Sequence, residues 1–308
     1  LMKIYINLIK EDWVVDNVIS EWNKYQKELT TKNIRKADII WIIAPWTWKK
    51  ISKSQIKKKK VICTIHHIDF HKFDEKERKD FYKRDKYVDF YHTVSEKSRD
   101  QLMKLTNKKV YVIPFWLNQD NFFEIDDKSS LRNKYKIKEN SYVLGSFQRD
   151  TEGFDLTSPK LSKGPDRFLN IVLDMNKNKQ NLEVVLTGKR RQFLIENFEK
   201  YKIKYHYFEM IDFQTLNELY NLLDLYIVAS RVEGGPRSLF ECAISRTPII
   251  STDVGFASNI LSHNSIFNGE DYKKAIPDTD YSRNIVNNYL IPKGFDNFIN
   301  MFSEIYES

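Results

Sequence analysis

Short apolar runs alternate along the chain with longer segments in which apolar residues recur every three to four positions, and the alternation occurs twice. In the first half, Lys3 to Leu8, Ile39 to Ala44, Val61 to Ile65, Phe90 to Val94 and Val110 to Ile113 have the length and composition of strands. Val14, Val18, Ile19 and Trp22 fall on one face of a helix predicted over Trp13 to Glu28. Further helices are predicted over Lys72 to Lys86 and over Ser95 to Leu105, with Ser95 as the N-cap. After a polar bridge, Asn118 to Asn140, the plan recurs. Strands are predicted at Tyr142 to Phe147, Leu182 to Thr187, Leu225 to Ala229 and Pro248 to Ser251, and helices at Pro165 to Met175, Arg191 to Lys200, Phe213 to Leu222 and Arg237 to Ser245. This alternation implies parallel sheets covered on both faces. The expected organisation is α/β: a first domain over 1–135, a second over 136–290, and a final amphipathic helix in 291–308 packing back towards the first. A ligand cleft is expected between the domains, at the carboxyl ends of the strands.

Composition narrows the class. With 308 residues the chain can form two domains of about 150 residues, and 41% apolar against 30% charged residues describes a folded protein. The apolar runs fall far short of the roughly 20 residues that cross a bilayer. Met2 reads as the natural start, and no basic-then-apolar signal segment opens the chain. Cys63 and Cys242 read as reduced core residues of a cytoplasmic protein. Lys and Arg exceed Asp and Glu by 50 to 42, a net charge of +8. Attraction to phosphates, on a substrate or on an anionic membrane surface, explains the excess; a Lys- and Asn-rich bias that merely solvates the surface does so equally. Nucleic acid is not expected, because the basic residues are dispersed and no reader motif is present.

Candidate chemistry concentrates in Ser230 to Gly255. The apolar run before it leads through Gly234-Gly235-Pro236 into a helical segment that continues with Arg237 and Ser238. Pro236 suits the first helical position and Gly235 the cap, so backbone N–H groups should point out of the turn and attract an anion. Two carboxylates, Glu233 and Glu241, flank that site, which suits a ligand carrying both phosphates and hydroxyls. A capping box between Ser238 and Glu241 accounts for the second without a ligand. Arg149, after one strand, and Lys163, in Lys163-Gly164-Pro165 before a helix, could clamp a diphosphate. Gly188-Lys189-Arg190-Arg191 repeats the theme: cations at a helix start call for an anion. His66 and His67 leave a strand end where such folds place ligand loops; with Asp69 and His71 they match no zinc spacing. Trp46 and Trp48 are acceptor-site candidates, whereas Trp41, inside a strand, reads as core. Asp278-Thr279-Asp280 reads as a helix cap rather than a cation site.

The spacing of Glu233 and Glu241 within EGGPRSLFECAISRTPIISTDVG resembles the signature of family-four retaining glycosyltransferases of the GT-B fold, two Rossmann-like domains with parallel sheets facing a central cleft. TIHH (64–67), HTVSEKSRDQL (92–102), VIPFWLNQDNF (112–122), GSFQR (145–149), KGPDRFL (163–169), LTG (186–188) and LYNLLDLYIVAS (219–230) agree in order and approximate spacing. The resemblance implies transfer of a sugar from a nucleotide diphosphate donor to a glycan or lipid-linked acceptor. It places Glu241 on the ribose, Glu233 on the moving sugar, and Arg149 and Lys163 on the diphosphate. Gly234 to Ser238, with Gly188 and Lys189, would complete the donor site, and His66 would serve the acceptor side. Such enzymes retain anomeric configuration by same-face attack and generally need neither metal nor cofactor. Two departures stand out. LIKEDWVVDN occupies the place of the family's Gly-rich loop, and DTEGFDLTSPKLS lengthens the connection to Lys163, leaving Lys160 as an alternative. A GT-B phosphorylase or epimerase and a catalytically degenerate sugar-nucleotide-binding protein are the competing readings.

Overall fold

The computed structural model describes residues 1–7, 14–179, 181–269 and 271–308. Most of the segment that stands in for the Gly-rich loop, residues 8–13, lies outside the described residues. Two compact units form: residues 1–116 with 291–308, and residues 117–290.

The first unit is built on a parallel sheet of β1 (Ile4–Ile6), β2 (Ile39–Ile42), β3 (Lys60–Thr64), β4 (Phe90–Thr93) and β5 (Val110–Val112), side by side in chain order. Side chains alternate across it. Ile40, Ile42, Val61, Cys63 and Tyr91 pack on one face with Trp48, Ile56, Phe81 and Leu102. Trp41, pointing the other way, meets Trp22 of the helix Val14–Tyr25 at 5.6 Å between ring centroids. It also meets Phe298 and Phe302 of the helix Asp296–Glu307 at 5.6 and 5.2 Å. The last helix therefore covers a face of the first sheet. Both cysteines are free and buried, and burial pushes the Cys63 thiol up to about 11.

A short polar chain crosses this apolar face. Trp41 Nε1 donates to Thr64 Oγ1 at 2.8 Å, and Thr64 Oγ1 lies 2.9 Å from His92 Nδ1. His92 Nε2 lies 2.8 Å from the Ile113 carbonyl. A carbonyl only accepts, so Nε2 carries the proton and Nδ1 accepts from the Thr64 hydroxyl. Burial pushes His92 down to about 3, keeping it neutral.

The second unit holds β6 (Tyr142–Ser146), β7 (Leu182–Thr187), β8 (Lys204–Phe208), β9 (Leu225–Val228), β10 (Ile249–Thr252) and β11 (Ile266–Phe267), all parallel, in the order β11-β10-β9-β6-β7-β8. Neither β8 nor β11 is among the strands predicted. β8 is an edge strand, half exposed, and its sequence KYHYF contains no apolar run; β11 spans two residues. The stretch 118–140 is not a bridge between domains. It contains the helix Lys128–Lys134, whose buried Arg132 donates to the Leu222 carbonyl and to Asp224 Oδ2. Ile125 N donates to Asn221 Oδ1 and Lys128 Nζ to the Leu223 carbonyl, tying the stretch to the end of the helix Phe213–Leu222. The strand order reverses between β6 and β9. In an open parallel sheet this is where connections part to opposite faces and leave a crevice at the carboxyl ends.

His92 makes stability depend on pH. Its folded pKa lies below the 6.5 of a free histidine, so its contribution is complete above that pH. The contribution is lost as pH falls through the window from 6.5 towards 3, because only the unfolded chain takes up the proton. The slope for one such group is up to about 1.4 kcal/mol per pH unit. Urea midpoints measured between pH 7 and 5 should fall, and His92→Gln should flatten the fall; an identical slope in the variant would remove His92 as its source.

Candidate active site

At the β6/β9 reversal two chain exits lie side by side, Phe147-Gln148-Arg149 after β6 and Ala229-Ser230 after β9. The start of the helix Pro165–Asn178 is pressed against them. Gly164 has φ +65°, and a Cβ placed there would stand 1.9 Å from the Ala229 carbonyl oxygen, so no other residue fits. The contact is laced on both sides. The N–H groups of Arg231 and Val232 donate to Ser162 O at 2.8 and 3.0 Å, and the Arg231 guanidinium grips the Asp166 carboxylate at 2.7 and 2.6 Å.

That lacing brings two of the sequence candidates together. Lys163 Nζ lies 2.5 Å from Glu233 Oε2. Ser230, fully buried, donates to Glu233 Oε1 at 3.0 Å. Gln148 Nε2 donates to Lys163 O at 3.2 Å, fixing the backbone beneath the ammonium. Ser230, Gln148, Ser162 and the Asp166–Arg231 pair are absent from the sequence-derived candidates. For Gln148, Ser230 and Arg231 the only signal was position, directly after β6 and β9; Ser162 lies just before the helix Pro165–Asn178 and Asp166 in its first turn.

The glycine turn is equally constrained. A Cβ on Gly235 would meet the Phe256 ring at 1.9 Å, and one on Gly255, at φ +54°, would meet Gly234 O at 2.3 Å. The turn and the loop after β10 therefore pack backbone to backbone. The helix itself is Ser238–Ser245, with Arg237 in the cap position, so it starts two residues later than Pro236. Leu239 N donates to Pro236 O and Phe240 N to Arg237 O, three-residue steps that wind residues 236–240 more tightly than an α-helix. The Ser238–Glu241 capping box does not form. Ser238 already lies inside the helix, and the Glu241 carboxylate accepts instead from Tyr220 Oη at 2.7 Å. Burial raises the Glu241 pKa, opposed by the Arg237 charge and the tyrosine bond. The Tyr220 ring also meets Phe147, 4.8 Å away, which ties Glu241 to the exit of β6.

The other basic candidates divide. Arg149 is exposed and donates through Nε to Thr151 O at 3.0 Å; partial burial and then the Arg190 charge lower its pKa. The inserted segment between Arg149 and Lys163 is ordered, bridged from Thr151 to Pro159, with Lys160 N donating to Asp150 O at 2.7 Å. Arg191 needs no external anion. It is fully buried, with Nε on Asp150 at 3.0 Å and Nη1 on Ser146 O and Thr187 O at 2.6 and 2.8 Å, pinning the ends of β6 and β7. Lys189 is exposed, and Gly188, at φ +82°, has open space where a side chain would be.

In the first unit His66 follows β3, its Nε2 3.0 Å from the Ile43 carbonyl. The ring lies 6.4 Å from Trp46 and 6.0 Å from Phe115, and burial lowers its pKa to about 4, so it is neutral near pH 7. Trp46 is exposed, but Trp48 is buried in the core with Nε1 3.3 Å from Asp80, which removes it as an acceptor-site candidate. Asp278 caps its helix through Tyr281 N at 2.9 Å, and Asp280 pairs with Arg246. Among the described residues no group of three His, Cys, Asp or Glu could hold a metal ion, and no helix is long and apolar enough to cross a membrane.

Residues 156–305 match the family model of glycosyl transferases group 1. No curated protein matches the chain. Among solved structures, 100% of the chain aligns with 99% of Anabaena HepE, solved with UDP and glucose, at a TM-score of 0.71 and 12% identity. A glycosyltransferase from Rickettsia africae aligns over 98% of this chain and 84% of its own, with TM-score 0.67 and 18% identity. The pneumococcal O-GlcNAc transferase GtfA, solved with UDP and GlcNAc, aligns over 88% of this chain and 57% of its own, with TM-score 0.64 and 15% identity. At such identities the likeness is one of fold, the α/β GT-B class with two Rossmann-like units.

The glycine contact is testable by itself. Gly164→Ala must either leave the left-handed region or push the helix away from Ala229, at a cost of about 1–3 kcal/mol. Chemical denaturation should show that loss, and a variant as stable as the parent would mean that the helix start is not pinned there.

Proposed function

We propose that this chain, whose residues 156–305 belong to the glycosyl transferases group 1, moves a hexosyl group from a nucleotide diphosphate sugar to a glycan or lipid-linked acceptor, with retention of anomeric configuration and without a metal. The observation that carries this reading is the placement of Lys163 and Glu233 in contact at the β6/β9 reversal, beside the glycine turn that leads into Glu241.

The roles follow from chemistry. Arg149, Lys163 and the backbone N–H groups around Gly235 to Ser238 would meet the diphosphate, whose negative charge grows as the sugar–oxygen bond breaks; fixed positive groups stabilise that growth without reorganising. Glu241, held by Tyr220, would accept from the ribose hydroxyls, and Glu233 from hydroxyls of the sugar. On the acceptor side, His66 has its Nε2 proton committed to Ile43 O, so Nδ1 is left as an acceptor for an incoming hydroxyl. The donor phosphate oxygen would take the acceptor's proton on the same face, which yields retention. The net charge supports an anionic partner on the acceptor side. Residues 1–116 and 291–308 hold 27 Lys and Arg against 18 Asp and Glu, whereas residues 117–290 hold 23 against 24. The reading therefore includes peripheral contact with an anionic lipid surface on the cytoplasmic side, and a place in polysaccharide synthesis.

A thermal-shift panel of nucleoside diphosphates, beginning with UDP because HepE and GtfA were solved with it, followed by their sugar conjugates, tests the donor reading. Glu241→Ala should weaken nucleotide binding at least tenfold, about 1.4 kcal/mol; unchanged binding would cancel the ribose role. Glu233→Ala should abolish transfer without weakening nucleotide binding, and the opposite pattern would undo the assignment.

A further inference from the structure

The Lys163–Glu233 contact poses a problem for the site it occupies. A diphosphate seeks cations, yet this ammonium already faces a carboxylate at 2.5 Å. Glu233 would also repel the diphosphate directly. We propose that the ion pair is the resting state of an exchange: the diphosphate draws Lys163 off Glu233, and the vacated carboxylate oxygen is then filled by a hydroxyl of the sugar. The proposal rests on the donor reading above and goes on to make Lys163 the link between recognition of the nucleotide and recognition of the sugar.

The geometry says which partner moves. Glu233 is held at its other oxygen by Ser230, and its side chain is 8% exposed against 22% for Lys163. The Lys163 backbone is held by Gln148, and the preceding residue by Arg231 and Val232, so only the four-carbon stem is free to swing. Once the ammonium leaves, Oε2 of a largely buried carboxylate has lost its donor, a state that costs free energy until another donor arrives. Sugar hydroxyls are such donors. A nucleoside diphosphate alone therefore opens the pair without repairing it, and a complete nucleotide sugar does both. Free sugar, lacking the diphosphate, meets a carboxylate that is still neutralised. Binding of diphosphate and of sugar should thus be positively coupled, and the carboxylate should penalise the nucleotide when it comes alone.

Calorimetric titration with the tightest binder among UDP, GDP, ADP and TDP decides the matter, using the whole chain, Glu233→Gln, Lys163→Met and the double variant, with melting curves to show that each folds. Glu233→Gln keeps the shape and should bind the nucleotide at least threefold more tightly. Lys163→Met should bind at least threefold more weakly, and on that background Glu233→Gln should bring a smaller gain, because only the direct repulsion is left to relieve. A gain of equal size on both backgrounds would mean simple repulsion and overturn the exchange, as would unchanged affinity in either single variant. If the unaltered chain binds none of the four nucleotides, the donor reading falls and takes the exchange with it; if it binds and the variants do not differ, the exchange alone falls.

Discussion

The Ala229 carbonyl oxygen stands where any side chain at position 164 would have to go. Much of the second unit's organisation at its carboxyl edge depends on that exclusion. Because residue 164 is glycine in the left-handed region, the helix Pro165–Asn178 begins directly against the end of β9, with proline already set for its first turn. The loop before it then lies close enough for Ser162 and Asp166 to be seized by the chain leaving β9. Lys163 follows passively, carried to Glu233 by a backbone it does not itself hold in place. The chemistry of the site is thus an outcome of a steric condition one residue away.

The first unit is held differently. Its central side chains are large rings, Trp22, Trp41, Trp116, Phe295 and Phe298, that meet edge to face or tilted at 4.5 to 6.4 Å. Such contacts add about 0.5–1.5 kcal/mol each beyond the area they bury. Into this apolar block the sequence places Thr64 and His92, and their polar atoms are matched in series from the Trp41 indole to the Ile113 carbonyl. A matched series of this kind fixes the relative register of β2, β3 and β4 in a way that apolar contact alone does not.

The parallel strands were legible because burial on both faces writes them as continuous apolar runs, and β8, half exposed at an edge, was not for the same reason. Helix boundaries were readable to about a turn. Pro236 pointed to a helix start that the tight winding after it delays to Ser238. Of the site, the residues with a chemical signature in sequence could be named: paired glutamates, Lys163 before Gly-Pro, and Arg149 after a strand. Their supports could not. Arg231 and Asp166 are 65 positions apart, and each alone looks like an ordinary surface charge. Arg191 shows the converse error, since a cation at a helix start suggested a ligand when its anion, Asp150, lay within the fold. Trp48 likewise looked available until its ring was seen in the core.

The helix Asp296–Glu307 is the last of these elements to be synthesised, yet it roofs the sheet made first. The two ends of the second unit meet at a bridge between Leu117 and Leu290. A growing chain can therefore complete that unit while the first sheet still waits, with the rings around Trp41 uncovered. The first unit therefore cannot be complete until residues 291–308 have emerged, whereas the domains of multidomain chains usually complete N-terminal first. The first sheet stays dependent on its final turns of helix, so damage to the tail is felt at the opposite end of the sequence.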